Sequence, residues 1–148
     1  MLSQKCQYAL RAVFELSKSY GAGPVKIGSV AGAQDIPQRF LEVILAELKR
    51  GGFLESRRGS DGGYTLVRSP QTLTVGEIIR FVEGPIGPVE CVTGKPADGC
   101  RLYPGCAFLG MWRRVQDAVA GVYDTTTFGD LLESEAKAAG EFVPSYAI

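Results

Sequence analysis

The segment at residues 91–106 constrains the fold of this chain more than any other, because its composition is incompatible with a regular helix or strand. It holds three of the four cysteines, Cys91, Cys100 and Cys106, among residues rich in Gly, Pro and Asp. Glycine and proline interrupt both kinds of regular structure, and few hydrophobic residues here could bury a thiol. Soft thiolates in a flexible loop suit zinc or an iron–sulfur cluster. We therefore expect a cysteine loop that separates a front part of the chain from a back part.

The composition is ordinary for a soluble domain of 148 residues, with 45% hydrophobic and 22% charged residues. No stretch approaches the length of a transmembrane helix, and the N-terminus lacks the apolar run of a signal peptide, so a cytoplasmic location is expected. Histidine is absent. Without the commonest metal ligand and the usual general base, an enzyme is not expected.

The charge is distributed unevenly although the net charge is zero. Residues 1–68 carry four lysines and six arginines against six acids, and residues 69–148 carry six bases against ten acids. A basic front half and an acidic back half are weak support for a polyanion partner at the front.

The front part predicts three helices followed by a β-hairpin. The helices are expected at residues 4–20, 29–34 and 37–50, and the strands at 53–57 and 63–67. In the third helix Phe40, Leu41, Ile44, Leu45 and Leu48 are expected to face inward. This arrangement predicts a winged helix–turn–helix whose third helix lies in the major groove of DNA, while its basic hairpin contacts the flanking backbone or minor groove.

The candidate DNA-contacting residues lie on the predicted third helix and on the hairpin. Arginine reads guanine, glutamine reads adenine and glutamate accepts a hydrogen bond from cytosine, which makes Gln38, Arg39 and Glu42 candidates for base contacts. A solvated helix face is the alternative for these three. Arg57 and Arg58 are expected at phosphates or a narrow minor groove, and Lys5 adds a further basic contact.

The back part predicts a capped helix, the cysteine loop and a long amphipathic helix. Thr74 and Glu77 form a capping box that opens the first of these helices. A long helix at residues 107–123 carries a seam typical of a dimer helix, formed by Phe108, Trp112, Val115, Val119 and Val122. A short last turn follows at residue 127, and the tail from residue 136 is expected to be loosely ordered. The regions are therefore a DNA-binding region at 1–83, a sensor loop at 84–106, a dimerisation region at 107–134 and a tail at 135–148.

Several short motifs resemble the Rrf2 family of winged-helix transcriptional regulators, which includes IscR, NsrR and CymR. They are YALR (8–11), IPQRFLE (36–42), LKRGGFL (48–54), RRGSDGGYTL (57–66), VGEII (75–79), the three cysteines, Trp112 and TFGDL (127–131), and they cover residues 3–134 in order. The resemblance implies a mainly α fold with a small hairpin and a homodimer that binds a partly palindromic operator. It also implies a 2Fe–2S or 4Fe–4S cluster held by Cys91, Cys100 and Cys106, whose state alters DNA binding.

The same resemblance leaves the fourth cluster ligand open. The histidine that the IscR branch places three residues after the last cysteine is replaced by Leu109, and the carboxylate of the NsrR branch is replaced by Gln7. Cys6 stands beside Gln7 as a candidate ligand across the dimer, with a packed residue of the first helix as the alternative.

Other interpretations of the cysteine loop stay open at this point. The thiols could bind zinc, form a redox disulfide or be inert. Two functions compete with a cluster-sensing regulator: a cluster-free regulator controlled by a partner protein or metabolite, and a redox or cluster-carrying protein whose winged helix binds protein.

Overall fold

The computed structural model describes residues 2–94 and 99–141. These residues form six α-helices and one antiparallel hairpin, which confirms the predicted fold class. In chain order they are α1 (Gln4–Ser17), α2 (Ile27–Gln34), α3 (Gln38–Arg50), β1 (Leu54–Arg57), β2 (Gly63–Leu66), α4 (Val75–Glu83), α5 (Leu109–Thr125) and α6 (Phe128–Glu141), with a short 3-10 turn at Glu90–Val92.

Helix α1 is the centre of the hydrophobic core. Its buried residues recur every three or four positions, so they form one continuous face that contacts α2, α3, α4 and α6. Helix α3 contributes a complementary face, Leu41, Ile44, Leu45 and Leu48, all at most 3% exposed. We call the unit formed by α1–α4 and the hairpin the winged head.

A single-residue β-bridge joins the wing to the segment between α1 and α2. Leu54 lies opposite Leu66 in the hairpin, and Val25 pairs with Tyr64 through two backbone hydrogen bonds of 2.8 and 2.9 Å. Gly63 makes this approach possible, since its φ is +149° and a Cβ there would lie 2.3 Å from the carbonyl oxygen of Val25. The wing is thereby fixed to the segment between α1 and α2.

The predicted capping box of α4 is confirmed. The Glu77 backbone N–H donates to Thr74 Oγ1 at 3.2 Å, and the Thr74 N–H donates to Glu77 Oε2 at 2.9 Å. Arg68 Nη1 also donates to Glu77 Oε1 at 2.6 Å, and this bond lowers the pKa of Glu77. The capping box therefore sets the start of α4 firmly against the end of the wing.

Helix α6 returns to the winged head, which differs from the short turn expected there. The side chain of Phe128 is fully buried in the core. The Phe128 N–H donates to Leu73 O at 3.0 Å, and Lys18 Nζ lies 3.0 Å from Glu135 Oε1. Because α6 continues to Glu141, the expectation of loose order from residue 136 is wrong up to that point; residues 142–148 lie outside the described ones.

Other element boundaries differ from the sequence predictions by a few residues. Helix α1 ends at Ser17, and Tyr20 lies beyond it, 47% exposed. Pro37 is the residue that caps α3 instead of its first helical residue. Phe40 was expected in the core but is 62% exposed, because the face formed by Leu41, Ile44, Leu45 and Leu48 is complete without it. The division into four regions stays a prediction.

Candidate nucleic-acid interface and cysteine loop

The three candidate base-reading residues are exposed on α3. Gln38 and Arg39 occupy the first turn of the helix and Glu42 the next. The buried leucine and isoleucine face holds α3 on the core, so the polar residues of the first two turns face away from it. Long polar side chains on an outward helix face can reach base edges in a major groove.

The hairpin places two more arginines at its tip. Arg57 ends β1 opposite Gly63, and Arg58 follows it. Both are exposed, and within residues 2–94 and 99–141 neither side chain makes a hydrogen bond or ion pair. Their charge is therefore available to a polyanion in the described conformation.

Lys5 lies in a different electrostatic setting from these arginines. Its Nζ is 2.7 Å from Glu47 Oε2, so it links the first turn of α1 to α3. An internal partner partly compensates its charge, which makes it a weaker candidate for phosphate contact than Arg57 or Arg58. Its role at DNA remains a prediction.

The outward face of α3 also contains apolar residues that the sequence analysis missed. Val43 is 56% exposed and Ala46 is exposed as well. Val43 follows Arg39 by four residues and Ala46 follows Val43 by three, which is the spacing of one helix face. This spacing was a usable signal, since both residues fall outside the buried stripe.

The cysteines occupy two distinct environments. Cys6 is fully buried in α1, whereas Cys91 and Cys106 are half-buried and Cys100 is exposed. Across the described residues, no group of three or more Cys, Asp or Glu side chains is arranged to hold a metal ion. Part of the loop, residues 95–98, lies outside that description. The three loop thiols are thus accessible but are not gathered into a site.

Burial decides the chemistry of Cys6. Desolvation, followed by the charge of Glu83, raises the pKa of its thiol to about 11. The Cys6 side chain is 0% exposed within the hydrophobic core, so it has no open side for a metal ion in the described conformation. The structure therefore favours packing over a ligand role for Cys6.

Gln116 in the middle of α5 holds the start of the cysteine loop. Its Nε2 donates to the carbonyl oxygens of Ile86, at 2.9 Å, and Val92, at 2.5 Å. Val92 is the last residue of the 3-10 turn that contains Cys91, and Ile86 lies shortly before that turn. Gln116 therefore ties this turn to α5. No sequence signal singled out Gln116, because a lone glutamine on a helix is usually solvated.

Helix α5 carries the apolar seam that was predicted for a dimer helix. Phe108 at the N-cap of α5 and Val122 are about 60% exposed, and Val115 and Val119 are more than one third exposed. Val115 and Val119 line a cavity of about 390 Å³ that also includes Pro85, Ile86 and Tyr123. Near the end of α5, Asp124 pairs with Arg80 of α4, which lowers the pKa of Asp124.

The fold and these surfaces define a winged-helix transcriptional regulator, and the chain belongs to the Rrf2 family. The family, described as "Iron-dependent Transcriptional regulator", matches residues 2–134. The chain is similar to the transcriptional regulator CymR of Bacillus subtilis, with 37% identity over 88% of each chain. It is also 30% identical to IscR of Escherichia coli over 90% of this chain and 81% of that one. These relatives are regulators, so the expectation that the chain is not an enzyme is confirmed.

Solved structures of CymR and IscR also resemble this chain. The structure of B. subtilis CymR, titled the global cysteine regulator of that organism, covers 90% of this chain and 97% of its own with a TM-score of 0.74 and 35% identity. T. potens IscR covers 99% of this chain and 94% of its own with a TM-score of 0.77 and 29% identity. Among the residues described, no helix is both long and apolar enough to cross a membrane.

Proposed function

We propose that this chain is a homodimeric regulator whose operator binding is modulated by an iron–sulfur cluster on Cys91, Cys100 and Cys106. Membership of the Rrf2 family supports DNA binding and transcriptional regulation. The observation that carries the cluster is the presence of three accessible thiols in one loop that is attached to the candidate dimer helix.

The chemistry of the donors fits an iron–sulfur cluster. Thiolates are the usual protein ligands of such clusters, and exposed or half-buried thiols can be reached by iron and sulfide. A cluster would supply a redox-sensitive or nitric-oxide-sensitive group at this position. The loop must gather its thiols to hold it, since the described conformation does not.

A cluster-free regulator is the second candidate, and two observations favour it. The described residues present no gathered metal-ligand group, and the chain is 37% identical to B. subtilis CymR, whose structure is titled that of a cysteine regulator. In this alternative a partner protein or a metabolite controls DNA binding, and the loop thiols form a redox disulfide or stay reduced.

The exposed seam of α5 supports the homodimer. A helix that leaves five apolar residues or more accessible along one side is stabilised by burying them against a partner. A second copy of the chain is the partner that fits, because a twofold dimer places the same seam on both sides of the interface. Two winged heads can then bind two half-sites of a partly palindromic operator.

The test is purification without oxygen, followed by iron and sulfide counts and a visible spectrum. We expect a coloured protein whose cluster is lost in Cys91→Ala, Cys100→Ala and Cys106→Ala while the fold is kept. Cys6→Ala is the matched control, and it should keep its cluster because Cys6 is a buried packing residue. Cluster-bearing and cluster-free protein should differ at least about fivefold in operator affinity at one fixed salt concentration, the lower end of a typical allosteric coupling.

The outcomes separate the two candidates. A colourless protein that binds operator with iron and sulfide absent supports the cluster-free regulator. A coloured protein whose three loop variants keep their full cluster content overturns the ligand assignment. If the affinities of both forms for operator are equal, the cluster has a structural role and does not modulate DNA binding.

A further inference from the structure

The outward side of α3 has an apolar centre between two charged ends. Arg39, Val43, Ala46 and Arg50 follow one another at intervals of four, three and four residues, so they form one ridge opposite the buried leucines. All four are exposed. We call this set the outward ridge. Val43, at 56% exposure, is its largest apolar member.

A second apolar side chain lies beside the ridge. Phe40 precedes Val43 by three residues, so the two side chains are neighbours on the helix surface. Both line an apolar cavity of about 450 Å³, bordered on the α1 side by Tyr8 and Lys5. The apolar surface therefore extends from the ridge towards α1 and can surround a small apolar group from two directions.

The charges around this surface indicate what covers it. Arg39 and Arg50 end the ridge, Lys49 lies next to Arg50, and Arg57 and Arg58 project from the adjacent hairpin. Glu47, on the same helix, is already paired with Lys5, which lines the cavity. A surface with an apolar centre and a basic border fits duplex DNA, whose phosphates flank a groove that exposes one apolar group, the 5-methyl of thymine.

Resting on the DNA-binding function proposed above, we propose that Val43 and Phe40 determine operator specificity by contacting thymine methyl groups. Arg39, Gln38 and Glu42 can read hydrogen-bonding edges, but none of them distinguishes thymine by its methyl group. Val43 stands at the centre of the ridge and makes the primary contact, and Phe40 shields its side. The preferred half-site then contains at least one thymine whose methyl group lies against Val43.

The experiment removes that methyl group without changing base pairing. An operator is first selected from random duplex DNA with the full-length protein, and each thymine is then replaced in turn by uracil. Burial of one methyl or methylene group contributes about 0.8 kcal/mol, which corresponds to about a fourfold change in affinity. We therefore expect one position per half-site at which the replacement weakens binding about fourfold. Replacement at both half-sites should weaken it about sixteenfold, with every other thymine near neutral.

Variants connect the effect to the named side chains. Val43→Ala should weaken binding to the thymine operator by a similar factor and should abolish the difference between thymine and uracil at that position. Phe40→Ala should reduce the difference. Val67→Ala is the matched control, since Val67 is a comparably exposed valine, 42% accessible, that follows β2 and does not line the cavity; it should keep the full difference between thymine and uracil. Circular dichroism checks that all variants are folded.

Failure of this inference is distinguishable from failure of the proposed function. One contrary outcome is that an operator is selected but its affinity does not fall when any thymine is replaced by uracil. The other is that Val43→Ala still prefers thymine to uracil. Either outcome overturns the inference and leaves the regulator assignment standing. If the protein selects no duplex from the random pool, DNA binding fails and this inference falls with it.

Discussion

Helices α1 and α5 differ in how much of their apolar surface is buried within the chain. Helix α1 has 14 residues and buries six of them. Helix α5 has 17 residues, all of them described, and buries Leu109 alone. Both carry an apolar stripe at helical spacing. In α1 the stripe meets four other helices and strand β2, whereas in α5 most of it faces outward.

This difference shows that an apolar stripe predicts burial without identifying what buries it. The winged head provides its own core, so its stripes are satisfied within one chain. The region after residue 84 contributes little to that core until Phe128. It is therefore the part of the molecule that depends on something outside the chain, which we propose to be a second copy for α5 and a cluster for the cysteine loop.

The largest expected effect comes from the same substitution made in each region. Leu45→Ala in α3 removes a fully buried side chain and should lower the free energy of unfolding by about 2–5 kcal/mol, through lost burial and a cavity. Leu102→Ala, in the cysteine loop where Leu102 is 67% exposed, should change it by less than about 0.5 kcal/mol. Urea denaturation followed by circular dichroism measures the unfolding free energy of both variants. Equal losses of stability would show that the two regions do not differ in how much they bury within the chain.

A charge in the α5 seam should break the dimer and leave the head intact. Val119→Asp places a carboxylate where we expect a buried apolar contact, and an uncompensated buried charge costs several kcal/mol. The dimer dissociation constant, measured by analytical ultracentrifugation, should rise by about 100-fold or more. Arg113→Asp changes an exposed residue of α5 outside the seam and is the control. A dimer that tolerates Val119→Asp would place the interface elsewhere.

A smaller effect should distinguish Cys6 from the loop cysteines at alkaline pH. Burial and Glu83 raise the pKa of Cys6 to about 11, above the unfolded value of about 8.5. Its contribution to stability is thus present below about pH 8.5 and is lost as pH rises towards 11. The decline in unfolding free energy between pH 8.5 and 10 should be shallower in Cys6→Ala, by at most about 2 kcal/mol.

Cys100→Ala is the control for that measurement, because Cys100 is exposed. Its stability should follow the same pH curve as the unchanged protein. Parallel curves for Cys6→Ala and the unchanged protein would show that Cys6 is not held as the structure describes.

The winged head could be predicted from sequence because its signals are local and agree with one another. The stripe at Leu41, Ile44, Leu45 and Leu48, the capping box at Thr74 and the turn residues between the strands each predicted the element that is observed. Phe40 was misplaced because an aromatic residue next to a complete apolar stripe is ambiguous. Its exposure depends on where α1 lies.

The back part was harder to predict because its contacts are distant in sequence. The length of α6 depends on the burial of Phe128 beside Leu73 and on the pairing of Lys18 with Glu135, neither of which is a local signal. The contacts of Gln116 with Ile86 and Val92 are equally non-local. The candidate cluster site stays a prediction, since three cysteines specify the donors and not their arrangement.

Helix α5 connects the winged head to the cysteine loop through two sets of contacts. Its C-terminal end is fixed to the head by Asp124 and Arg80, and by the backbone hydrogen bond from Val75 to Thr126. Gln116 ties the cysteine loop to the middle of the helix. A helix of 17 residues is about 25 Å long. With the pivot at the head, a tilt of a few degrees moves the N-terminal end of α5 by an ångström or two and the Gln116 contact by about half as much. We therefore expect a small rearrangement around Cys91 to accompany a small rotation of the head.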